Sequence, residues 1–235
     1  MLGGDKPPSF SFFKYQTHEG SSMEISEEIV GLAKRGETLK RIVRSGWAIA
    51  GLQNLRLESV GEHSFGTILI ALLISKALLD EGEQVDLYGV SALAAVHDIP
   101  ESITSDIPRI AGEYGGDLLR ESKRKTEKEV IKQISRECKS FEDWLMSLWR
   151  DLENEKSLEV RIVLGSDIID MLVHANALEV SGVSPAILDR FFVNSHLTVR
   201  KLGLNIFEEI FWYLYSEHAK CAERLGIELA PIARE

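Results

Sequence analysis

Cysteine is scarce: the 235 residues include Cys138 and Cys221 alone, far apart and outside any CxxC spacing. This excludes a disulfide framework and a thiolate metal knuckle, and reads as two reduced thiols in a cytoplasmic protein. Basic charge is short as well. The net charge is −10 and no basic stretch is interleaved with aromatics, which excludes a grip on long nucleic acid through its backbone. A small phosphorylated ligand survives that exclusion, because a metal or a few local arginines reverse the field inside one pocket. Long hydrophobic runs are missing too. The longest, 68–74, falls far below the about 20 residues of a spanning helix, so no membrane association is expected. Residues 1–22 lack the basic start and apolar stretch of a signal peptide and precede every motif, so they read as an extension dispensable for folding and turnover. Period-two alternation, internal repeats and low-complexity tracts are all absent.

What remains is helical periodicity in an ordinary globular composition, 44% apolar and 27% charged. Helices are expected over Glu27–Arg35, Leu39–Trp47, Glu62–Asp80, Asp86–Asp98, Asp117–Cys138 and Leu158–Glu179. Glu62–Asp80 is apolar nearly all round, as a central buried helix is. Pro100 should end the segment before it. Ser140 opens a capping-box-like "SFED", and Ser184–Pro185 is a helix start leading into helix to about Leu225. The charges of "ESKRKTEKEVIK" read as a solvated face from which one lysine could still reach a phosphate. The fold expected is a single all-α domain: an extension at 1–22, a helical core at 23–225 and a C-terminal tail at 226–235.

Four polar residues sit where a core should be apolar. Asp167 interrupts the stripe of its helix, four after Val163 and four before Met171. His63 opens the apolar helix beside Gly66 and Thr67, small residues that let another helix approach. His97 and Asp98 end a third apolar helix. Buried imidazoles and carboxylates are costly without partners. Two of each, arriving from three helices, suit one divalent metal, with mixed N and O donors favouring Mn, Co, Fe, Ni, Zn or Mg over Ca. His174, seven after Asp167, reads as a hydrogen-bonded core residue. His18, His196 and His218 have no acidic partner at ligand spacing and read as surface or packing residues.

"RSGW" (44–47), "RLESVGEHS" (56–64), "HDIPESITSD" (97–106) and "GSDIIDM" (165–171) stand in an order and spacing that resembles the HD-domain phosphohydrolases, within them the 5'-deoxynucleotidase branch. The resemblance runs from about Leu39 to about Val180. It implies an HD-domain helical bundle with His63, His97, Asp98 and Asp167 as ligands of one divalent metal. It implies Glu101 and Asp106 as acid/base or water-positioning residues, and Arg44 and Trp47 as contacts to a small nucleotide. A homodimer is expected from the relatives and from apolar residues among 191–215. Local spacing agrees with these roles: Glu101 lies four after His97 and three after Asp98, on one side of a helical turn. The activity implied is removal of the 5'-phosphate from deoxynucleoside monophosphates. The alternatives are triphosphate or cyclic-nucleotide hydrolysis by another HD enzyme, or a nucleotide-sensing helical dimer without turnover. Two-metal HD enzymes need further histidines before the last aspartate, and residues 99–166 contain none.

Overall fold

The helices run α1 (Ser22–Leu39), α2 (Ser45–Ile49), α3 (Val60–Asp80), α4 (Leu87–Val96), α5 (Glu101–Thr104), α6 (Arg109–Glu137), α7 (Glu142–Asn154), α8 (Leu158–Val180), α9 (Pro185–Lys201) and α10 (Asn205–Arg224). The computed structural model describes residues 22–52 and 55–233, with 22, 23 and 109 described through their backbone alone. The expectations for the N-terminal extension and His18 thus fall outside the described residues. Among the described residues no strand forms, and the fold is all-α as expected.

Local rules place the central elements. Ser59 caps α3 through a full capping box: Glu62 N–H donates to Ser59 Oγ at 3.1 Å and Ser59 N–H to Glu62 Oε2 at 2.9 Å. Ser157 caps α8 by accepting from Val160 N–H, and Pro185 opens α9 behind Ser184. Helix α3 lies on α8 and α4, while α9 and α10 close over α8. By length and a hydropathy of 1.4, α3 matches a membrane-crossing helix, yet His63, Thr67, Ala71 and Ile74 are buried inside the bundle.

Several boundaries differ from expectation. The segment Leu39–Trp47 is not one helix. Its middle is extended because Val60 N–H donates to Ile42 O and Arg44 N–H to Glu58 O, both outside any helix. "SFED" does not cap α7: Ser140 lies in a short 3₁₀ turn, Lys139–Phe141, and its N–H donates to Glu28 Oε2 instead. The expected helix from Asp117 begins just after a break at Gly116, whose φ of 61° glycine adopts freely. Helix α3 is not enclosed all round, since Phe65, Leu69 and Leu73 are exposed. Conversely, Phe192, Phe207 and Phe211 are fully buried, so most of the apolar content of 191–215 is core. Both cysteines are free thiols, Cys138 buried and Cys221 half-buried.

Candidate metal centre

The capping box sets the first turn of α3, and with it His63, which is completely buried. One turn later comes Gly66. A Cβ there would lie 1.8 Å from Asp170 Oδ1, so only glycine admits the close approach of α8. That approach brings two carboxylates onto one imidazole. His63 Nδ1–H donates to Asp170 Oδ2 at 2.7 Å, and His63 Nε2 lies 2.8 Å from Asp167 Oδ1. The end of α4 adds Asp98 Oδ2, 3.8 Å from His63 Nε2 and 3.1 Å from His97 Nε2. His63, His97 and Asp98 each offer a ligand atom within 4.8 Å of the others. The four residues read as ligands from the sequence are therefore brought together.

The donor count shows what this cluster lacks. His97 Nδ1–H donates to Ala94 O at 2.8 Å, which leaves Nε2 a bare acceptor. It faces Asp98 Oδ2, a second acceptor, at a misaligned 3.1 Å, and both atoms are buried without a hydrogen bond. His63 repeats the pattern, with its one neutral-state proton committed to Asp170. Acceptors crowded around a point with no donor call for a cation. The tautomers are those of metal ligands, each ring held from behind by a carboxylate or a carbonyl. The residues fit a divalent metal. Without one, burial disfavours the His63 imidazolium, but the Asp167 and Asp170 hydrogen bonds override burial and Arg44 repulsion and raise its pKa to about 10. A proton likewise stands in for the cation at the second pair: burial is overridden at His97, whose pKa Asp98 raises, and at Asp98, whose carboxyl His97, His63 and Arg44 hold well below the usual range.

A cleft of about 510 Å³ opens over this centre, walled by Arg44, Glu101, Asp106 and Lys123 together with Asp98 and Asp167. The extended backbone before α2 delivers Arg44, whose Nη1 is 3.9 Å from Asp167 Oδ1. Asp106 anchors that segment: Oδ2 accepts from Ser45 N–H at 2.6 Å and from Ser45 Oγ–H at 2.9 Å. Glu101 is 7% exposed, and burial together with Asp98 and Asp106 pushes its pKa up to about 9. Without a metal it keeps its proton at neutral pH. Trp47 is placed differently from an open stacking platform. It is 1% exposed, donates from Nε1 to Glu58 Oε2 at 3.0 Å and packs on Phe191 at 4.5 Å. It lines a smaller cavity of about 130 Å³ beside the cleft.

Sequence reasoning missed three contributors. Asp170 orients His63 and lies three residues after Asp167, a spacing that was itself a signal. Glu58 holds Trp47 and lies next to the capping serine. Lys123 is the one member of the charged run to enter the cleft, and nothing in its neighbours sets it apart. His174 lies 5.1 Å from the Trp47 ring and 3.8 Å from Glu58 Oε1, off the His97–Asp98 pair. His196 packs against Phe211 and Trp212, as expected. His218 corrects the sequence reading: it has two acidic partners, Glu179 on α8 and Asp189 on α9, brought together by tertiary packing.

Comparison with known proteins places the arrangement. Residues 36–200 match the HD domain family, extending the similarity through nearly all of α9, past the limit read at Val180. The chain is 26% identical over 158 residues to 5'-deoxynucleotidase HDDC2 of Danio rerio, covering 67% of this chain and 72% of that protein. It is 26% identical over 144 residues to 5'-deoxynucleotidase HDDC2 of Dictyostelium discoideum, covering 60% and 72%. Among solved structures, PH0347 protein from Pyrococcus horikoshii OT3 superposes with a TM-score of 0.65 at 31% identity, covering 83% of this chain and 98% of that one.

Proposed function

The chain belongs to the HD-domain family, and from that premise we propose that it is a metal-dependent phosphohydrolase that removes the 5'-phosphate of deoxynucleoside monophosphates. The observation that carries this reading is the buried pair His97 Nε2 and Asp98 Oδ2, two atoms without a hydrogen-bond partner beneath a cleft lined by three cationic side chains, Arg44, Arg120 and Lys123. The names of the two HDDC2 relatives support the substrate class.

His63, His97, Asp98 and Asp167 would hold the metal. Bound there, a divalent cation supplies Lewis acidity and charge neutralisation at a phosphoryl group. Arg44 takes phosphoryl oxygens in its fork, and Lys123 adds a second positive charge across the cleft. Glu101, buried beside Asp98, is placed to give a proton to the departing 5'-oxygen as a general acid. Asp106, committed to Ser45, fixes the segment that carries Arg44. Trp47, held by Glu58 and backed by Phe191, lines the cavity next to Arg44, where it would crowd a 2'-hydroxyl. The test is kcat/KM for deoxy- and ribonucleoside monophosphates with Mn or Co added, beside metal analysis of the folded protein. Deoxynucleotides should be favoured by roughly one to three kcal/mol, and Trp47→Phe should narrow the gap. Equal rates on both sugars would reject the deoxynucleotidase reading, and no phosphomonoester hydrolysis by metal-loaded protein would reject the enzyme.

A further inference from the structure

The small cavity beside the cleft has a chemistry of its own. It shares Arg44, Asp106, Pro108, Glu113 and Met171 with the cleft as common walls, so a molecule held at Arg44 by its phosphate extends into it. Phe191, packed on Trp47, gives it an aromatic side. Helix α9 gives it a polar one. Ser195 is fully buried and its Oγ has no hydrogen-bond partner. Serines inside helices ordinarily donate to the carbonyl one turn back, as Ser64 does to Val60 O and Ser166 to Ile162 O, both at 2.8 Å. Ser75, Ser102 and Ser135 also lack a partner, but of the four it is Ser195 that lines this cavity. Next to it, Asn194 Nδ2–H donates to Glu113 Oε1 at 3.3 Å. Glu113 is acceptor-only as a carboxylate, and Asn194, with its nitrogen so used, offers its Oδ1 as another acceptor. Arg190 stands on the same wall, lying over the Phe191 ring at 5.0 Å and donating to Gly46 O at 3.4 Å.

We infer that this cavity is a nucleobase subsite selective for bases that carry, on the Watson–Crick edge, an exocyclic amine beside an unprotonated ring nitrogen, as cytosine and adenine do. The inference rests on the nucleotidase reading and deepens it. The amine donates to the Glu113–Asn194 acceptors, and the ring nitrogen accepts from Ser195 Oγ–H. Thymine and guanine present a carbonyl oxygen where the amine should be, opposite a carboxylate, and lose that bond to repulsion.

The experiment uses the full chain loaded with Mn. It compares kcat/KM for the 5'-monophosphates of deoxycytidine, deoxyadenosine, thymidine and deoxyguanosine in wild type, Glu113→Gln and Ser195→Ala. Equilibrium dialysis of the same proteins against free deoxycytidine and thymidine, which have no phosphate, runs beside it. The first two substrates should lead by roughly tenfold or more, the range of one well-placed base contact. Both variants should bring the ratio down to within about threefold. Equal kcat/KM for all four in wild type overturns the subsite and leaves the nucleotidase reading standing, as does a preference that persists in both variants. If no monophosphate is hydrolysed, the nucleotidase reading fails and dialysis decides: selective retention of deoxycytidine upholds the subsite, and equal or no retention of the two nucleosides overturns it.

Discussion

Among the described residues two histidines are completely buried with a carboxylate at each ring nitrogen: His63 between Asp170 and Asp167, and His218 between Glu179 and Asp189. Around His218 the polar groups close on one another. Nδ1 meets Glu179 Oε1, Nε2 meets Asp189 Oδ1 at 3.2 Å, and the other Asp189 oxygen accepts Ala230 N–H at 2.9 Å. The ring stacks on Phe192 at 4.3 Å, which shuts the cluster from one side. Around His63 the acceptors outnumber the donors, His97 and Asp98 add two more, and a cleft gives access. A buried histidine between acids is thus not by itself a metal site. The surplus of acceptors, and a way in, make the difference.

The widest separation between the two clusters should appear on deleting a side chain from each. His97→Ala or Asp167→Ala should reduce bound metal to background and abolish turnover, measured as metal content and kcat on folded protein. His218→Ala should leave metal content unchanged. Its cost should be stability, because the buried Glu179 and the half-buried Asp189 lose the group between them: roughly 3–5 kcal/mol, or about 10 °C in Tm for a chain of this size. Loss of metal from the His218 variant would collapse the comparison.

How much of this was legible follows from the kinds of contact involved. The ligands His63, His97, Asp98 and Asp167 could be read because each breaks the apolar pattern of its own helix, a local signal. The helix start at Ser184–Pro185 and the end of α4 near Pro100 were local too. The partners of His218 were not, since Glu179 and Asp189 lie 39 and 29 residues away and meet it only when α8, α9 and α10 pack. Lys123 stood among several similar charges, and only the path of α6 over the cleft selects it. The extended stretch at Ile42–Arg44 was read as helix because its hydrogen bonds go to Glu58 and Val60, across a loop that periodicity does not see.

A second, smaller effect sharpens the contrast through pH. Glu101 is part of the acceptor surplus of the open centre, and it responds by keeping its proton, with a pKa raised from 4.5 to about 9. The folded state binds that proton more tightly than the unfolded one. Its contribution to stability is therefore complete below about pH 4.5 and is lost as the pH rises toward 9. Glutamine cannot ionise. In metal-free protein, Glu101→Gln should match wild type near pH 5 and exceed it in Tm by roughly several degrees at pH 9, while turnover of the metal-loaded variant falls sharply. A Tm difference that shrinks with rising pH would contradict the assignment.

The smallest effect expected lies at the closed cluster's outer edge. Ending the chain at Leu225 removes Ala230, and with it the N–H that Asp189 Oδ2 accepts, as well as the packing of Ile232 against the core. Asp189 keeps its second contact to His218, and the carboxylate oxygen set free is near the surface, where water replaces the lost donor. One charge-assisted hydrogen bond at a wet site contributes about 1–2 kcal/mol, so Tm should fall by only a few degrees. Metal content and kcat/KM should not move, because nothing in the His218 cluster is short of a partner that the cleft could supply. Asp189, however, directly precedes Arg190, which lines the small cavity beside the cleft. A change in kcat/KM on truncation, with metal content constant, would mean that the closed cluster sets the position of α9 and that the two buried histidines are not independent.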